Sequence, residues 1–566
     1  MFYYPILKPE LTVQKLRGGY YTPAPIAEFL AQWAIRSPQD TVLEPSCGDG
    51  SLLIAAAQTL LKHGATSENA AQLLYGIELD PQEAAKTATH LKALGISDAC
   101  VHIGDFFEEC QGNFFDQTFF NIVQQEQRQF DVVIGNPPFI RYQNFPESSR
   151  HIAFQLMQRA GLHPNRLTNA WLPFLVVSSL LLKKQGRLAM VVPAELFQVN
   201  YAAEVRKFLS DFYNQLTMIT FEQLVFAGIQ QEVVLLLGER NSSENGGIRV
   251  LELENIADLR SLSQHDYSEG ECKPMDHSTE KWTQYYLSAH EIQLLRDLRE
   301  HPKITMSGRV IDVDVGIVTG NNDFFILTKE QVKQHALEPY LDHIVVRSGH
   351  LRGTIFSGAD WFENVESQLP ALFFIPPDKP FNELPKPVQT YISMGEAENF
   401  NKGYKCRMRK RWYIVPSVWI PDAFMLRQIH AYPKLILNTA EATCTDTIHR
   451  VRFRNGADGR VITAAFLNSL TFAFAEVTGR SYGGGVLTFE PSECERLPLA
   501  LIGTEKLDLE GIDQRVRKDD IDAVLDITDK LLLVEGLGLS PSEAKMLRGI
   551  WEKLRDRRIK RKHRHM

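Results

Sequence analysis

TVLEPSCGDGSLLIAAA (41–57) reads as a buried strand, a tight glycine turn and a helix. Gly48 and Gly50 let the backbone approach a ligand with no Cβ in the way. Turns of this shape also serve dinucleotide sites, but the spacing GxGxxG is absent. Glu44-Pro45 at the strand end is no phosphate cradle, because a carboxylate repels phosphate. It suits a ligand with a positive centre, such as a sulfonium or an amine.

The pattern repeats outward from this unit. LLYGIELDP (73–81) is a second strand, ending in Glu78, and a helix follows from Pro81 to about Leu94. An acidic residue there can accept both hydroxyls of a ribose. ACVHIGDFF (99–107) is a third strand, closed by Asp105 and followed by Phe106. Its carboxylate can accept from an exocyclic amine, and a phenyl ring can stack on a purine. FDVVIGNPPF (130–139) is a fourth strand that stops at Gly135. Two prolines then fix φ and withdraw donors, and the first of them presses Asn136 into an extended conformation. Glu44, Glu78, Asp105 and Asn136 thus stand as acceptors at successive strand ends, where open α/β sheets bind ligands. On the N-terminal side, GGYYTP (18–23) places Thr22 as an N-cap and Pro23 at the first helical position. The helix it opens carries Ile26, Phe29, Leu30 and Trp33 on one face.

Composition narrows the class. Of 566 residues, 44% are hydrophobic and 23% charged, ordinary values for a globular chain of two or three domains. A net charge of −8 makes any nucleic-acid surface a local one. Seven scattered cysteines form no CxxC pair, which argues for a reducing, cytoplasmic setting and against structural zinc. MFYYPILKPE lacks the pattern of a secretion signal. LPFLVVSSLLL (172–182) is too short to span a bilayer and reads as a buried helix.

In this order, GGYYTP, LEPSCGDGSLL, GIELDP, GDFF and NPPF resemble the motif series of S-adenosylmethionine-dependent N6-adenine DNA methyltransferases, with the arrangement of the γ-class, TaqI-like members. LTNAWLPFLVVSSLLLKKQGRLAMVVPAELF (167–197) is similar to the helix and fifth strand of that family. VFAGIQQEVVLLLG (225–238) is similar to its seventh-strand region. Phe139 stands where many members carry tyrosine, and stacking needs only the ring. The resemblance implies a Rossmann-like class I methyltransferase domain with a seven-stranded mixed sheet. It implies that Thr22, Glu44, Ser46, Gly48 and Gly50 hold the methionine end of the cofactor, that Glu78 holds the ribose, and that Asp105 and Phe106 hold the adenine, with Asn136 bordering the cofactor as well. Asn136, Pro137 and Phe139 become the catalytic group, and Phe139 and Phe226 flank the target base. No metal is required, because the sulfonium supplies the leaving group.

The connection 140–168 is long and pattern-poor, with Arg141, Tyr142, Phe145 and Arg150, and is expected to close over the base or touch DNA. ERNSSENGGIRV (239–250) is polar and marks a domain boundary. The expected division is a catalytic domain over 1–240, a mixed α/β, strand-rich target recognition domain over 241–504, and a helical C-terminal segment with a basic tail over 505–566. KGYKCRMRKRWYIVP (402–416) sets Lys402, Lys405, Arg407, Arg409, Lys410 and Arg411 beside aromatic residues, a candidate phosphate-contacting surface. TGNNDFF, RSGHLRG and RSYGGGVLTF are turns able to reach base edges. About 17 residues precede GGYYTP and no nuclease constellation follows, so a methyltransferase working as a monomer on double-stranded DNA, beside a separate restriction endonuclease or alone, is expected. NPPF-type motifs also serve enzymes acting on RNA adenine or a protein glutamine amide, and a DNA-binding subunit without activity is a further reading.

Overall fold

The structure is a computed structural model that describes residues 21–114, 128–223, 225, 232–240, 246–262, 270–482 and 485–563. The chain forms two compact units, the first ending at Ala289 and the second beginning at His290.

In the first unit the strands are β1 (Val42–Glu44), β2 (Leu74–Glu78), β3 (Val101–Ile103), β4 (Phe130–Gly135), β5 (Leu182–Pro193), β6 (Gln215–Phe221), β7 (Val233–Glu239) and β8 (Gly247–Leu253). They form one sheet in the order β3-β2-β1-β4-β5-β7-β6-β8. All neighbours are parallel except β7, which runs antiparallel to both β5 and β6. The first seven strands have the order of the expected class I methyltransferase sheet. The strand order reverses between β1 and β4, and the crevice outside their carboxyl ends is the ligand position of such sheets.

The eighth strand was not expected. The boundary expected at 240 falls between β7 and β8, inside the sheet. Every residue of β6 is buried, so its outer edge needs a partner for its backbone groups. β8 supplies it, pairing in parallel from Gln215↔Gly247 to Phe221↔Leu253. The polar, glycine-containing run before it disguised a strand as a linker.

Helices α1 (Ala24–Ala34), α2 (Ser51–Lys62) and α4 (Pro81–Ala93) follow the expected positions, and a short helix that was not expected, α3 (Ser67–Leu73), leads into β2. Ile26 and Leu30 of α1 and Leu52, Leu53 and Leu60 of α2 share a core with Val42, Val132, Ile134 and Val191 of the sheet. Thr22 does not cap α1: the residue preceding the helix is Pro23, with no side-chain cap. A short helix, α5 (Phe106–Glu109), follows β3. The connection 140–168 contains a helix, α6 (Glu147–Arg159), which buries Ser149, Ala153, Leu156 and Met157. Its spacing of apolar residues is sparse, so tertiary contact rather than periodicity holds it. The apolar run 172–182 forms α7 (Trp171–Leu180), nearly all buried, as expected.

The second unit is built on a five-stranded sheet in the order 311–315, 448–453, 423–426, 435–438, 355–356 and a four-stranded one in the order 326–327, 372–374, 341–345, 443–444. The C-terminal residues expected to form a separate segment belong to this unit. Helix Pro541–His563 packs on helix Ser469–Thr478, with the Trp551 ring against Phe472 at 5.1 Å between centroids. Asp529 is buried and accepts from the backbone N–H and hydroxyl of Ser469.

Candidate active site

The carboxyl ends of β1 and β4 lie side by side, with Val42 opposite Val132 and Leu43 opposite Val133. Gly135 sits so tightly that a Cβ there would stand 3.3 Å from Pro45 Cδ and 3.2 Å from Met190 Cε. The turn after β1 and the NPPF ledge after β4 therefore form adjoining walls.

The turn is tied to β2. Gly48 N–H donates to Glu78 Oε2 at 2.8 Å, Asp80 N–H donates to Glu78 Oε1 at 2.8 Å, and Cys47 N–H donates to the Ile77 carbonyl at 2.8 Å. Thr87 of α4 donates its hydroxyl proton to the Gly48 carbonyl at 2.8 Å. Gly48 has φ +53° and open space where a Cβ would project, whereas Gly50, at φ +87°, would drive a Cβ to 2.7 Å from Thr87 Cγ2. The two glycines thus do different work: Gly48 leaves room, and Gly50 allows α4 to pack.

Glu44 is 2% exposed, and its Oε2 has no hydrogen-bond partner. Burial, then the charges of Asp49 and Glu78, push its carboxyl well above the usual range. Burial likewise raises Glu78, against the pull of the Asp80 and Gly48 N–H groups. Ser46 Oγ is also buried and unpartnered. Unmet buried polar atoms cost a fold about 1–3 kcal/mol each. Both stand at the turn that carries the open Gly48.

Asn136 is partly buried, and its Nδ2 donates to Thr22 Oγ1 at 3.2 Å. Thr22, expected as a helix cap, instead orients the amide of NPPF. Pro137 is buried, while Phe139 is half-buried against the core next to α1. The chain beyond the ledge is pinned: Ala170 N–H donates to the Ile140 carbonyl at 2.9 Å, and Tyr142 N–H donates to Asn169 Oδ1 at 3.3 Å. Asn169 Nδ2 donates in turn to Tyr201 Oη at 3.0 Å, and Tyr201 donates to Glu195. Sequence reading missed Asn169. Its signal was a lone amide immediately before an apolar helix.

Asp105 caps α5, its Oδ1 accepting from Phe107 N–H at 2.8 Å and Glu108 N–H at 3.2 Å, while its Oδ2 accepts from Ser149 Oγ at 2.7 Å. Phe106 does not present its ring to a ligand. It is 2% exposed and stacked on Phe174, 5.2 Å between centroids, because the first turn of α5 folds both phenylalanines onto α7. The apolar surface at these strand ends comes instead from Leu79 and Ile103, 62% and 61% exposed. An apolar residue directly after Glu78, and another two before Asp105, were the overlooked signals. Phe226 lies outside the described residues.

The basic cluster of the second unit divides. Lys402, Lys405, Arg407 and Lys410 are exposed, with Tyr404 and Met408 exposed among them. Arg409 turns inward and donates to the Val318 carbonyl at 2.8 Å, and Arg411 pairs with Asp378.

The chain matches the family model N-6 DNA Methylase over residues 6–305 and the model for the C-terminal domain of Type II methyltransferase M.Eco57I over 279–533. Type II methyltransferase M.AccI of Acinetobacter calcoaceticus is 22% identical over 535 residues, covering 88% of each chain. Type II methyltransferase M.XamI of Xanthomonas campestris pv. amaranthicola is 22% identical over 503 residues, covering 85% of this chain and 84% of its own. The solved structure of the Type IIL restriction-modification enzyme MmeI in complex with DNA shares the fold at a TM-score of 0.55 and 12% identity, over 94% of this chain and 75% of that one. With the first family model spanning more than half of its length, this chain belongs to the N-6 DNA methylase family.

Proposed function

We propose that this methyltransferase moves a methyl group from S-adenosylmethionine to N6 of an adenine swung out of double-stranded DNA, at one fixed sequence, and that it works beside a restriction endonuclease that cuts the unmodified site. The reading is carried by the unpartnered Glu44 Oε2 and Ser46 Oγ at the open Gly48 turn, against the NPPF ledge. The bound cofactor supplies an activated, positively charged methyl donor.

The residues divide the work. Glu44 and Ser46 take the ammonium and carboxylate end of the cofactor. Glu78, already aligned by the Gly48 and Asp80 N–H groups, accepts the ribose hydroxyls. Leu79 and Ile103 cover the faces of the cofactor purine in place of Phe106. Asp105 has three of its roughly four acceptor sites filled, which leaves one on Oδ2 for an exocyclic amine. A base cannot react inside the duplex and must be turned out. Asn136, its amide orientation set by Thr22, and the Pro137 carbonyl accept the two N6 protons and aim the nitrogen lone pair. This is positioning and electrostatics rather than general-base chemistry. Phe139 stacks on the base, worth about 1–3 kcal/mol, with Phe226 as its proposed counterpart. Lys402, Lys405, Arg407 and Lys410 contact phosphates.

Incubation with labelled cofactor and plasmid DNA, followed by single-molecule sequencing, is expected to show N6-methyladenine in one sequence context. Label found only in RNA or protein would overturn the reading.

Glu44→Gln is expected to weaken cofactor binding about tenfold or more in calorimetric titration, the scale of a lost charge-assisted contact. In the native chain the cationic ligand selects the ionised carboxylate. Its affinity should rise with pH until the raised Glu44 pKa is passed and then level off, a component missing in the variant. The sign for stability is opposite. A carboxyl whose folded pKa is raised holds its proton after the unfolded chain has released it, so stability falls as pH rises above the usual carboxylate range. At pH 8 the ligand-free variant should therefore resist urea better than the native chain.

A further inference from the structure

In the second unit, strands Ile311–Val315 and Ile448–Phe453 are antiparallel neighbours, with Asp312 opposite Arg452 and Asp314 opposite Arg450. Ile311, Val313 and Val451 enter the core. By alternation, Asp312, Asp314, Arg450, Arg452 and Arg454 share the other face. Three arginines thus meet two aspartates. Arg450 takes Asp314 at 2.8 Å and Arg454 takes Asp312 at 2.6 Å. Arg452, exposed, has no carboxylate partner among the described residues. Its guanidinium lies over the Trp419 ring, 4.0 Å from the centroid.

Trp419 is itself held firmly. Arg450, 4% exposed, lies 4.4 Å from the same ring centroid and commits every arm: Nε to the Val315 carbonyl at 3.0 Å, Nη1 to the Ser417 carbonyl at 2.8 Å, Nη2 to Asp314. Ser417 adopts φ +58°, a conformation costly for a non-glycine residue. A buried, fully bonded arginine thus lies against one tryptophan, and the tryptophan supports one exposed guanidinium.

The same segment leads to the basic cluster. Beyond Val315, the Val318 carbonyl accepts from Arg409, and a Cβ on Gly320 would stand 3.2 Å from Lys405 Cβ. Gly320 lies eight residues beyond Asp312, the residue opposite Arg452, at most about 29 Å of extended chain. We propose that Arg452, seated on Trp419, contacts a DNA phosphate and extends the track of Lys402, Lys405, Arg407 and Lys410 along residues 311–320. A guanidinium fork matches phosphate geometry. Pairing neutralises Asp312 and Asp314, and the third nearby carboxylate, Asp422 just before the next strand, is engaged by the Phe453 N–H at 3.0 Å. The proposal rests on the reading of this chain as a DNA methyltransferase.

The test uses the full chain, a short duplex with the methylated sequence, a scrambled duplex, and a salt series. Arg452→Ala should weaken binding to both duplexes by the same factor, about tenfold at low salt, and flatten the slope of log affinity against log salt by about 0.9. Arg452→Lys should keep the slope near the native value. Both variants should unfold at the native urea midpoint, since the side chain is exposed. Unchanged affinity and slope in Arg452→Ala would overturn the assignment, as would a loss confined to the methylated sequence, which marks base reading. If the native chain binds and methylates no duplex, the underlying reading falls instead, a result distinct from native binding with an indifferent variant.

Discussion

Asn136→Ala is expected to slow methyl transfer by about 10³-fold, the upper range for removing one preorganised polar contact to a reacting group, while cofactor affinity stays within about twofold. The amide is the one side chain of the ledge able to accept an amine proton, and the prolines beside it offer no side-chain substitute. Single-turnover kinetics with saturating DNA, set beside calorimetric titration of the cofactor, separates the two effects. Native turnover in the variant would remove Asn136 from the chemistry. Thr22→Val provides the companion measurement. It keeps the shape of the residue but deletes the acceptor that orients Nδ2 at 3.2 Å. About a tenfold loss in rate is expected there, because a misaligned amide still reaches the nitrogen part of the time.

The largest effect on stability is expected at Glu476 and Arg558. Both are nearly inaccessible, at 5% and 3% exposure. Arg558 Nη2 donates to Glu476 at 2.6 Å, Nε donates to it at 3.1 Å, and Nη1 donates to the Gly485 carbonyl at 2.5 Å. Removing either partner strands the other charge in the interior, so Glu476→Ala and Arg558→Ala should each cost about 3–5 kcal/mol in urea unfolding. Replacing both together, with Glu476→Leu and Arg558→Met, should cost far less, because the pair's desolvation penalty disappears with it. Equal losses in the double and single variants would mean that the lost attraction of the pair, not a stranded charge, accounts for the cost. A negligible loss in the single variants would mean that the pair does not hold the helix Pro541–His563 in place.

Local pattern was enough for the catalytic half. Each strand there ends in, or immediately before, a glycine, proline or acid that punctuates the chain, and β-favouring runs followed by amphipathic helices specify the alternating α/β class without reference to distant residues. Glu44, Glu78, Asp105 and Asn136 were legible for that reason: their positions along the chain fix them at the carboxyl edge of a parallel sheet. Only the tertiary structure decided what those ends face. Thr22 meets Asn136 across 114 residues of chain, and no local signal separates a hydroxyl that caps a helix from one that steers an amide. Phe106 enters the core because α7 lies over it, which leaves Leu79 and Ile103 as the exposed apolar surface. β8 joins the sheet because the buried edge of β6 needs hydrogen bonds, a demand set 32 residues earlier in the chain, where Gln215 pairs with Gly247, and nowhere visible in the run that precedes β8. In the second unit, Arg450 and Arg454 take Asp314 and Asp312, and Arg452 is left exposed without a carboxylate among the described residues. Sequence supplies the type and spacing of polar groups, whereas burial and competition for partners, which exist only in the folded chain, decide which of them remain available to a ligand.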